Sequence, residues 1–159
     1  MSVGRINRRG ITLIELVVVL TIIGITAAIS FPAFSAGLDS VRLASATQSV
    51  ASFLNGAVSH VERRQQPVEV AISLRDNSLT LYSNEPGFPR ELKMPDGVSI
   101  EAVLPPLADE TETVRRIVFL PGGAIPGIGI QIANQRGGRR IVRLDPMTGF
   151  PRVESVPTK

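Results

Sequence analysis

The sequence predicts an α+β fold in which one long N-terminal helix, transmembrane in its first half and amphipathic in its second, packs on a small antiparallel β domain. Three features of the 159 residues predict this fold. Residues 16–38 carry no charge. Apolar residues then recur at steps of three and four as far as Val61. From Val68 onward, short alternating stretches are separated by turn-forming residues.

The apolar run is long enough to cross a bilayer at about 1.5 Å of rise per residue, and Glu15 lies just inside it. An unpaired carboxylate in hydrocarbon costs on the order of several kcal/mol, so Glu15 needs a partner. A secretory signal peptide is shorter and is cut after the run, where only Ala33-Phe34-Ser35 is a candidate. A signal anchor explains the length but not the carboxylate.

A cut at the Gly10–Ile11 bond is a third possibility, and it would leave the whole apolar run on the mature chain. The new amino group would then lie near the membrane surface. Glu15 could pair with this amine, in its own chain or in a neighbouring subunit, and the ion pair would offset the cost of burying the carboxylate.

Residues 9–15, Arg-Gly-Ile-Thr-Leu-Ile-Glu, and the apolar run after them resemble the class III signal of type IV pilins and of the pseudopilins of type II secretion systems. The resemblance implies that a prepilin peptidase cuts after Gly10 and methylates the amine of Ile11. It also implies that Glu15 pairs with the N-terminus of an adjacent subunit during assembly. The chain departs from the family at one position, since Ile11 stands where the family usually has Phe.

The charge of the chain is concentrated at its start. The chain has 17 Lys and Arg residues and 14 Asp and Glu residues. Three of the basic residues, Arg5, Arg8 and Arg9, lie in residues 1–10, so positive and negative charges are equal in number in the rest of the chain. Net charge therefore gives no support to general nucleic-acid binding. The same arginines predict a cytoplasmic N-terminus, with the bulk of the chain in the periplasm. There are no cysteines, so the core is expected to hold by packing alone.

The predicted organisation is a leader at 1–10, a transmembrane and assembly helix at 11–37, an amphipathic helix at 38–66 and a periplasmic β-rich domain at 67–159. Pro32 lacks an amide donor, so a bend or a break is expected there unless it marks the end of the membrane segment. A proline at this place is usual in type IV pilins, so the resemblance places Pro32 among the assembly residues. Whether one helix or two run from Ile11 to Arg64 stays open.

The amphipathic helix is predicted to end near Arg64, because Gln65-Gln66-Pro67 follows. Its apolar face consists of Leu43, Ala46, Val50, Phe53, Leu54, Ala57 and Val61. Alternation and turn residues beyond it predict seven strands. These are Val68–Leu74, Ser78–Ser83, Val98–Leu104, Val114–Leu120, Gly127–Ala133, Arg139–Leu144 and Phe150–Glu154.

The C-terminal third carries a second, less specific resemblance, to the GspH/FimT branch of minor pseudopilins and pilins. The shared marks are Phe119 with the glycines that follow it and the late Thr148-Gly149 turn. The strands that accompany them contain Ile130-Gln131-Ile132 and Arg140-Ile141-Val142-Arg143-Leu144.

Catalytic, metal and cofactor chemistry is not predicted. His60 is the single histidine, lies on the predicted helix and has no cysteine to pair with, which favours a surface or packing role. Residues 109–112, Asp-Glu-Thr-Glu, lack the spacing and glycine of a calcium loop and indicate a solvated acidic loop. Gly122-Gly123 and Gly137-Gly138 lack the lysine of a phosphate-binding loop and indicate hairpin turns.

One basic cluster keeps a functional alternative open. It consists of Arg136, Arg139, Arg140 and Arg143, with Arg152 and Lys159 further on. Such a cluster can contact phosphates without reading sequence, and some FimT-like minor pilins are DNA receptors with a basic C-terminal region. A solvated hairpin or a salt-bridged subunit contact, with Asp145 and Glu154 nearby, is the favoured interpretation.

The sequence therefore predicts a structural subunit and not an enzyme: a minor, tip-region pseudopilin of type II secretion, anchored once in the bacterial inner membrane. Its expected partners are other pseudopilins or pilins, the prepilin peptidase and the inner-membrane assembly platform. The first alternative is a minor pilin of a type IV pilus or DNA-uptake system. The second is a membrane-tethered binding domain that never assembles.

Overall fold

The computed structural model describes residues 12–85, 90–106 and 113–156, except for the side chains at positions 32, 33 and 36. The chain divides into two compact units, Met1–Gly37 and Leu38–Lys159. The first is helical where it is described, and the second combines helix and sheet.

A single helix, α1, runs from Leu13 to Arg64. In the first unit its large apolar side chains are exposed on all sides, as at Leu16, Ile22 and Ile29. A helix that is apolar all round is normally buried in a protein core or a membrane. The helix is uninterrupted at Pro32. The break that the sequence allowed at this position is therefore absent, since one lost hydrogen bond is tolerated where the flanking turns keep theirs.

In the second unit, α1 turns its predicted apolar face to the core. Leu43, Val50, Leu54 and the other residues of that face are buried, except Phe53, which is partly buried against the same core. The helix ends where predicted. Gln65 adopts a φ of 53°, and its amide donates to the carbonyl of Val61 at 2.9 Å, as in a left-handed C-cap.

Eight strands form two four-stranded sheets. The strands are β1 Val68–Ser73, β2 Ser78–Ser83, β3 Arg90–Lys93, β4 Val98–Leu104, β5 Val114–Phe119, β6 Gly129–Asn134, β7 Arg139–Leu144 and β8 Pro151–Val156. The first sheet has the order β3-β2-β1-β5 and the second β4-β6-β7-β8. Every neighbouring pair is antiparallel. The α+β prediction is confirmed.

All seven predicted strands are present, four of them with ends shifted by one or two residues, and β3 was missed. Its sequence, Arg-Glu-Leu-Lys, alternates charges around a single apolar residue, Leu92. One turn prediction was wrong. Gly137-Gly138 does lie in the β6–β7 hairpin, but Gly122-Gly123 joins β5 and β6, which belong to different sheets.

The core contains residues of α1 and of both sheets. Alternate residues of β1, namely Val68, Val70 and Ile72, are fully buried, because residues two apart point to the same face of a strand. Ile130 and Ile132 do the same on β6.

Asn77 connects the two sheets. It lies in the β1–β2 turn with a φ of 53°. Its side-chain amide donates to the carbonyl of Val98 at 2.8 Å, and its side-chain oxygen accepts from the amide of Ile100 at 2.8 Å. Its own carbonyl accepts from the amide of Met94 at 3.0 Å. One turn of the first sheet is thereby joined to the edge strand β4 of the second.

Candidate membrane and assembly site

The segment Leu13–Phe31 is long and apolar enough to cross a membrane once, with a mean hydropathy of 2.4 and none of it buried within the chain. The hydroxyls of Thr21 and Thr26 are hydrogen-bonded within the helix. Thr21 donates to the carbonyl of Val17 at 2.7 Å and Thr26 to that of Ile22 at 2.8 Å. Hydroxyls bonded in this way add little cost in hydrocarbon.

Thr12 precedes the first helical residue, Leu13. The Thr12 hydroxyl accepts a hydrogen bond from the amide of Glu15 at 3.3 Å, and its carbonyl accepts from the amide of Leu16 at 3.2 Å. Thr12 itself is not helical. A flanking residue whose side-chain oxygen accepts from the third helical residue is an N-cap.

Glu15 lies in the first turn of α1, where a negative charge is favoured by the helix dipole. It is the single charged residue between Thr12 and Leu38. Within residues 12–85, 90–106 and 113–156, its carboxylate makes no hydrogen bond or ion pair. An exposed carboxylate on an apolar helix thus keeps its full capacity to accept from a partner.

The structure describes the other predicted residues of this site only in part. Gly10 and Ile11, the predicted processing residues, lie outside the described part of the chain. Pro32 lies inside α1 and directly follows Phe31, the last residue of the apolar span.

The arginine cluster lies at the β6–β7 hairpin and along β7, and the structure pairs most of it with carboxylates. Arg136 bonds Asp39 at 2.7 Å. Arg139 makes two bonds to Glu101, at 2.7 and 2.8 Å, and Arg143 lies 3.6 Å from Glu154.

The Arg139 pair is the best built of these. Its two parallel hydrogen bonds, together with one from Gln131 at 2.8 Å, hold the pKa of Glu101 below its ordinary value, and the Glu101 carboxylate raises the pKa of Arg139. A bidentate pair of this kind fixes the orientation of the guanidinium.

Arg140 differs from its neighbours. It is half-buried, and no ion pair is found for it among the residues that the structure describes. Of the four arginines in the alternative phosphate surface, three therefore pair with carboxylates of the same chain.

A second pair closes the turn between β7 and β8. Arg152 lies 3.2 Å from Asp145. The backbone amides of Met147 and Thr148 donate to the Asp145 carboxylate, at 2.9 and 3.3 Å, and lower its pKa. Gly149 completes the turn with a φ of 72°. The late Thr-Gly mark in the sequence is thus part of a tightly bonded turn.

His60 is buried on α1, with its Nε2 3.7 Å from a carboxylate oxygen of Glu85. This position agrees with the packing role that the sequence favoured. The acidic stretch at 109–112 lies outside the described residues. No group of three or more His, Asp or Glu side chains in the described part of the chain is placed to hold a metal ion.

Sequence reasoning named Glu154, which lies beside Arg143, but it missed the partners of Arg136 and Arg139. Asp39 lies 97 residues before Arg136, and Glu101 lies 38 residues before Arg139. Only the pairing of β4 with β6, and of β6 with β7, brings Glu101 beside Arg139.

Comparison with known proteins bears on both parts of the chain. Residues 5–31 match the family model of the prokaryotic N-terminal methylation motif. The structure is similar to that of the minor pseudopilin EpsH from the type 2 secretion system of Vibrio cholerae, with a TM-score of 0.55 and 12% sequence identity. The likeness covers 72% of this chain and 97% of the EpsH chain. This chain has a pilin-like fold.

A search of curated protein sequences gives no match. The motif and the pilin-like fold were found independently, one from residues 5–31 and the other from 72% of the chain. Both agree with the resemblance to type IV pilins and pseudopilins seen in the sequence.

Proposed function

We propose that this pilin-like chain is a minor pseudopilin, a structural subunit of a type II secretion pseudopilus. The observation that carries the proposal is Glu15: a carboxylate with no partner in the described part of its own chain, on a helix that is otherwise apolar as far as Leu38. Such a group is costly in hydrocarbon unless a cation from outside the described chain meets it.

The proposed sequence of events starts with a precursor in the bacterial inner membrane, with its N-terminus in the cytoplasm and its β-rich domain in the periplasm. The prepilin peptidase cuts after Gly10 and methylates the new amine of Ile11. At the inner-membrane assembly platform, the amine of one subunit pairs with Glu15 of its neighbour. Because an ion pair in an apolar medium demands close geometry, this contact sets the axial register between subunits.

Packing among subunits then replaces lipid contact. The apolar side chains of α1 up to Phe34 are exposed in the single chain, so neighbouring helices can cover them without disturbing the folded β-rich domain. Pro32 lies within this packed segment. The subunit acts by assembly and needs no catalytic residue.

Type II secretion is proposed because the fold likeness is to a minor pseudopilin of such a system. The alternative is a minor pilin of a type IV pilus or a DNA-uptake system, with DNA held by the C-terminal arginines. DNA phosphates would compete for Arg136, Arg139 and Arg143 with the carboxylates that now pair with them. Arg140 is the member of the cluster that is free of this competition within the described residues.

Intact mass spectrometry of the chain purified from its own membranes tests the proposal. The expected product lacks residues 1–10 and carries one added methyl. Gly10→Ala is expected to abolish this change. Glu15→Ala is expected to retain it but to stop the chain from co-purifying with other pseudopilins. Thr21→Val, at a polar position of the same helix, serves as the matched control and is expected to be processed and assembled.

An uncut wild-type chain contradicts the assembly mechanism and leaves a membrane-tethered binding domain as the better account. A cut chain whose Glu15→Ala variant still assembles removes the ion pair from the mechanism. Recovery of a retraction ATPase and a major pilin with the chain, in place of a secretin and a secretion ATPase, indicates the pilus alternative.

A further inference from the structure

We infer that a pocket at the C-terminal end of α1, the helix-end pocket, receives one basic side chain, Lys or Arg, from a neighbouring subunit. The pocket lies between the last turns of α1 and the connection from β5 to β6. The inference rests on the proposed function, because the neighbour is another subunit of the assembly. It concerns the second unit alone and involves neither Glu15 nor the processing site.

The helix-end pocket has the size and the walls to hold a side chain. It encloses about 280 Å³, just below the range of about 300–1,000 Å³ that is typical of small-molecule sites. Its apolar walls include Val58 and Val61 of α1, Phe119 at the end of β5, and Leu120 and Ile125 of the connection. The pocket can therefore surround the apolar stem of a single long side chain.

The two polar side chains of the pocket, Glu62 and Gln65, supply a negative charge and acceptors. Glu62 is exposed, and within residues 12–85, 90–106 and 113–156 its carboxylate makes no hydrogen bond or ion pair. Gln65 donates from its side-chain nitrogen to the carbonyl of Glu62 at 2.8 Å, which leaves its side-chain oxygen as an acceptor. The pocket thus presents a carboxylate that is ready to meet a cation.

No cation of the described chain lines the pocket to cancel this charge. Arg63 and Arg64 directly follow Glu62, but both bond elsewhere. Arg63 donates from Nε to the carbonyl of Ser59 at 3.2 Å, and Arg64 lies 3.4 Å from Glu85. The last carbonyls of an α-helix add a partial negative charge of their own. The helix-end pocket therefore favours a positive group.

Charge complementarity decides which side chain fits. An acidic side chain would be repelled by Glu62 and by the helix end. An apolar side chain would fill the pocket, but it would cover the carboxylate of Glu62 without giving it a partner, which is costly. Lys and Arg combine an apolar stem with a cationic head. The stem can lie against Val58 and Val61 while the head pairs with Glu62.

The test is photo-cross-linking in the assembled fibre, from p-benzoylphenylalanine in place of Leu120, which lines the pocket and is 58% exposed. Mass spectrometry of the cross-linked peptides is expected to join position 120 to a segment of another pseudopilin, with a Lys or Arg within a few residues of the attachment point. Glu62→Gln keeps the shape of the side chain but removes its charge. It is expected to lower the yield about fivefold, the upper range for a partly exposed ion pair.

Asp96→Asn is the matched control, because it removes the charge of another exposed carboxylate that does not line the pocket. It is expected to leave the yield unchanged. Urea unfolding of Glu62→Gln is expected to match that of the wild type, which separates docking from folding.

The basic residue identified in the partner is then replaced by Gln, alone and together with Glu62→Gln. Each single change is expected to lower the yield by a similar factor, and the two together are expected to add little further loss, as for groups that interact directly. Losses that multiply in the double variant overturn the pairing.

Three other results overturn the inference while leaving the proposed function in place. One is an assembled chain that gives no cross-link from position 120. Another is a cross-link to a segment without Lys or Arg, and the third is a wild-type yield in Glu62→Gln. A wild-type chain that is uncut and does not co-purify with other pseudopilins is a different result, since it removes the proposed function together with the docking role.

Discussion

Replacing Asn77 should weaken the connection between the two sheets, and the structure allows the loss in unfolding free energy to be worked out. Asn77→Gly removes two hydrogen bonds of 2.8 Å, to Val98 and Ile100 on β4. A typical hydrogen bond contributes about 1 kcal/mol net, so the loss is expected to be about 2 kcal/mol. Glycine accepts the positive φ of this position without strain.

Asn77→Ala adds a second cost. The φ of 53° places position 77 in the left-handed region, where a residue with a Cβ is disfavoured by about 1–2 kcal/mol. The alanine variant is therefore expected to lose about 3–4 kcal/mol in total. The difference in unfolding free energy between the alanine and glycine variants measures the backbone strain. The loss in the glycine variant measures the two hydrogen bonds to β4.

Urea unfolding of the detergent-purified chain, followed by the fluorescence of Tyr82 on β2, provides the assay. Tyr82 is the single tyrosine of the chain and there is no tryptophan, so the signal reports the first sheet. Asn55→Ala, on the helix, is the matched control and is expected to change stability by less than about 0.5 kcal/mol. A glycine variant at position 77 that is as stable as the wild type refutes the view that this side chain joins the sheets.

Two further substitutions probe the turn and the ion pair of the second sheet. Gly149→Ala should cost about 1–2 kcal/mol because its φ is +72°. Its Cβ would lie 2.7 Å from Ile125 Cδ1, the end of a side chain that can shift at little cost. Gly122→Ala, with a φ of +64° and nothing within 4 Å, should lose a similar amount of about 1–2 kcal/mol, and a much larger loss at position 149 in urea unfolding would show that the Ile125 side chain cannot give way. Arg139→Gln should reduce the dependence of unfolding stability on pH in the acid range. The pKa of Glu101 is lowered by the pair, so the stabilisation is present above the ordinary carboxyl pKa and is lost as pH falls through the lowered one. The unfolding midpoints of variant and wild type should converge below that pKa, and parallel profiles would contradict the assignment.

The parts of the fold set by local pattern were predictable from the sequence. The helix end at Gln65 follows from the loss of periodicity before Pro67, and strands such as Ser78–Ser83 and Arg139–Leu144 follow from alternation between turn residues. β3 was not predictable, because Leu92 is its single apolar residue and its strand conformation depends on pairing with β2.

Features that depend on pairing between distant segments were out of reach. Nothing local indicates that β5 pairs with β1, or that the turn at 121–123 crosses from one sheet to the other. The same limit applies to the arginines. Their closeness in sequence left a free basic surface open as an alternative, because the acids that pair with Arg136 and Arg139 come from the distant segments α1 and β4.

The candidate site was more predictable, because its information is contiguous. Glu15 stands out as a charge in an apolar run, and its environment in the structure agrees with the need for a partner. The cap at Thr12 was not anticipated, although a threonine three residues before a glutamate is a recognised start signal for a helix.

β8 is an edge strand of the second sheet and β3 is an edge strand of the first, and such edges matter more if the chain is anchored as proposed. Tethered copies share one orientation in a two-dimensional layer, so exposed edges meet far more often than in free solution. Both strands carry charged side chains along their length, and β8 begins with Pro151, which has no amide to donate. Such features discourage one sheet from adding to another. In the assembly proposed above, these two edges are therefore poor places for one β domain to add to another.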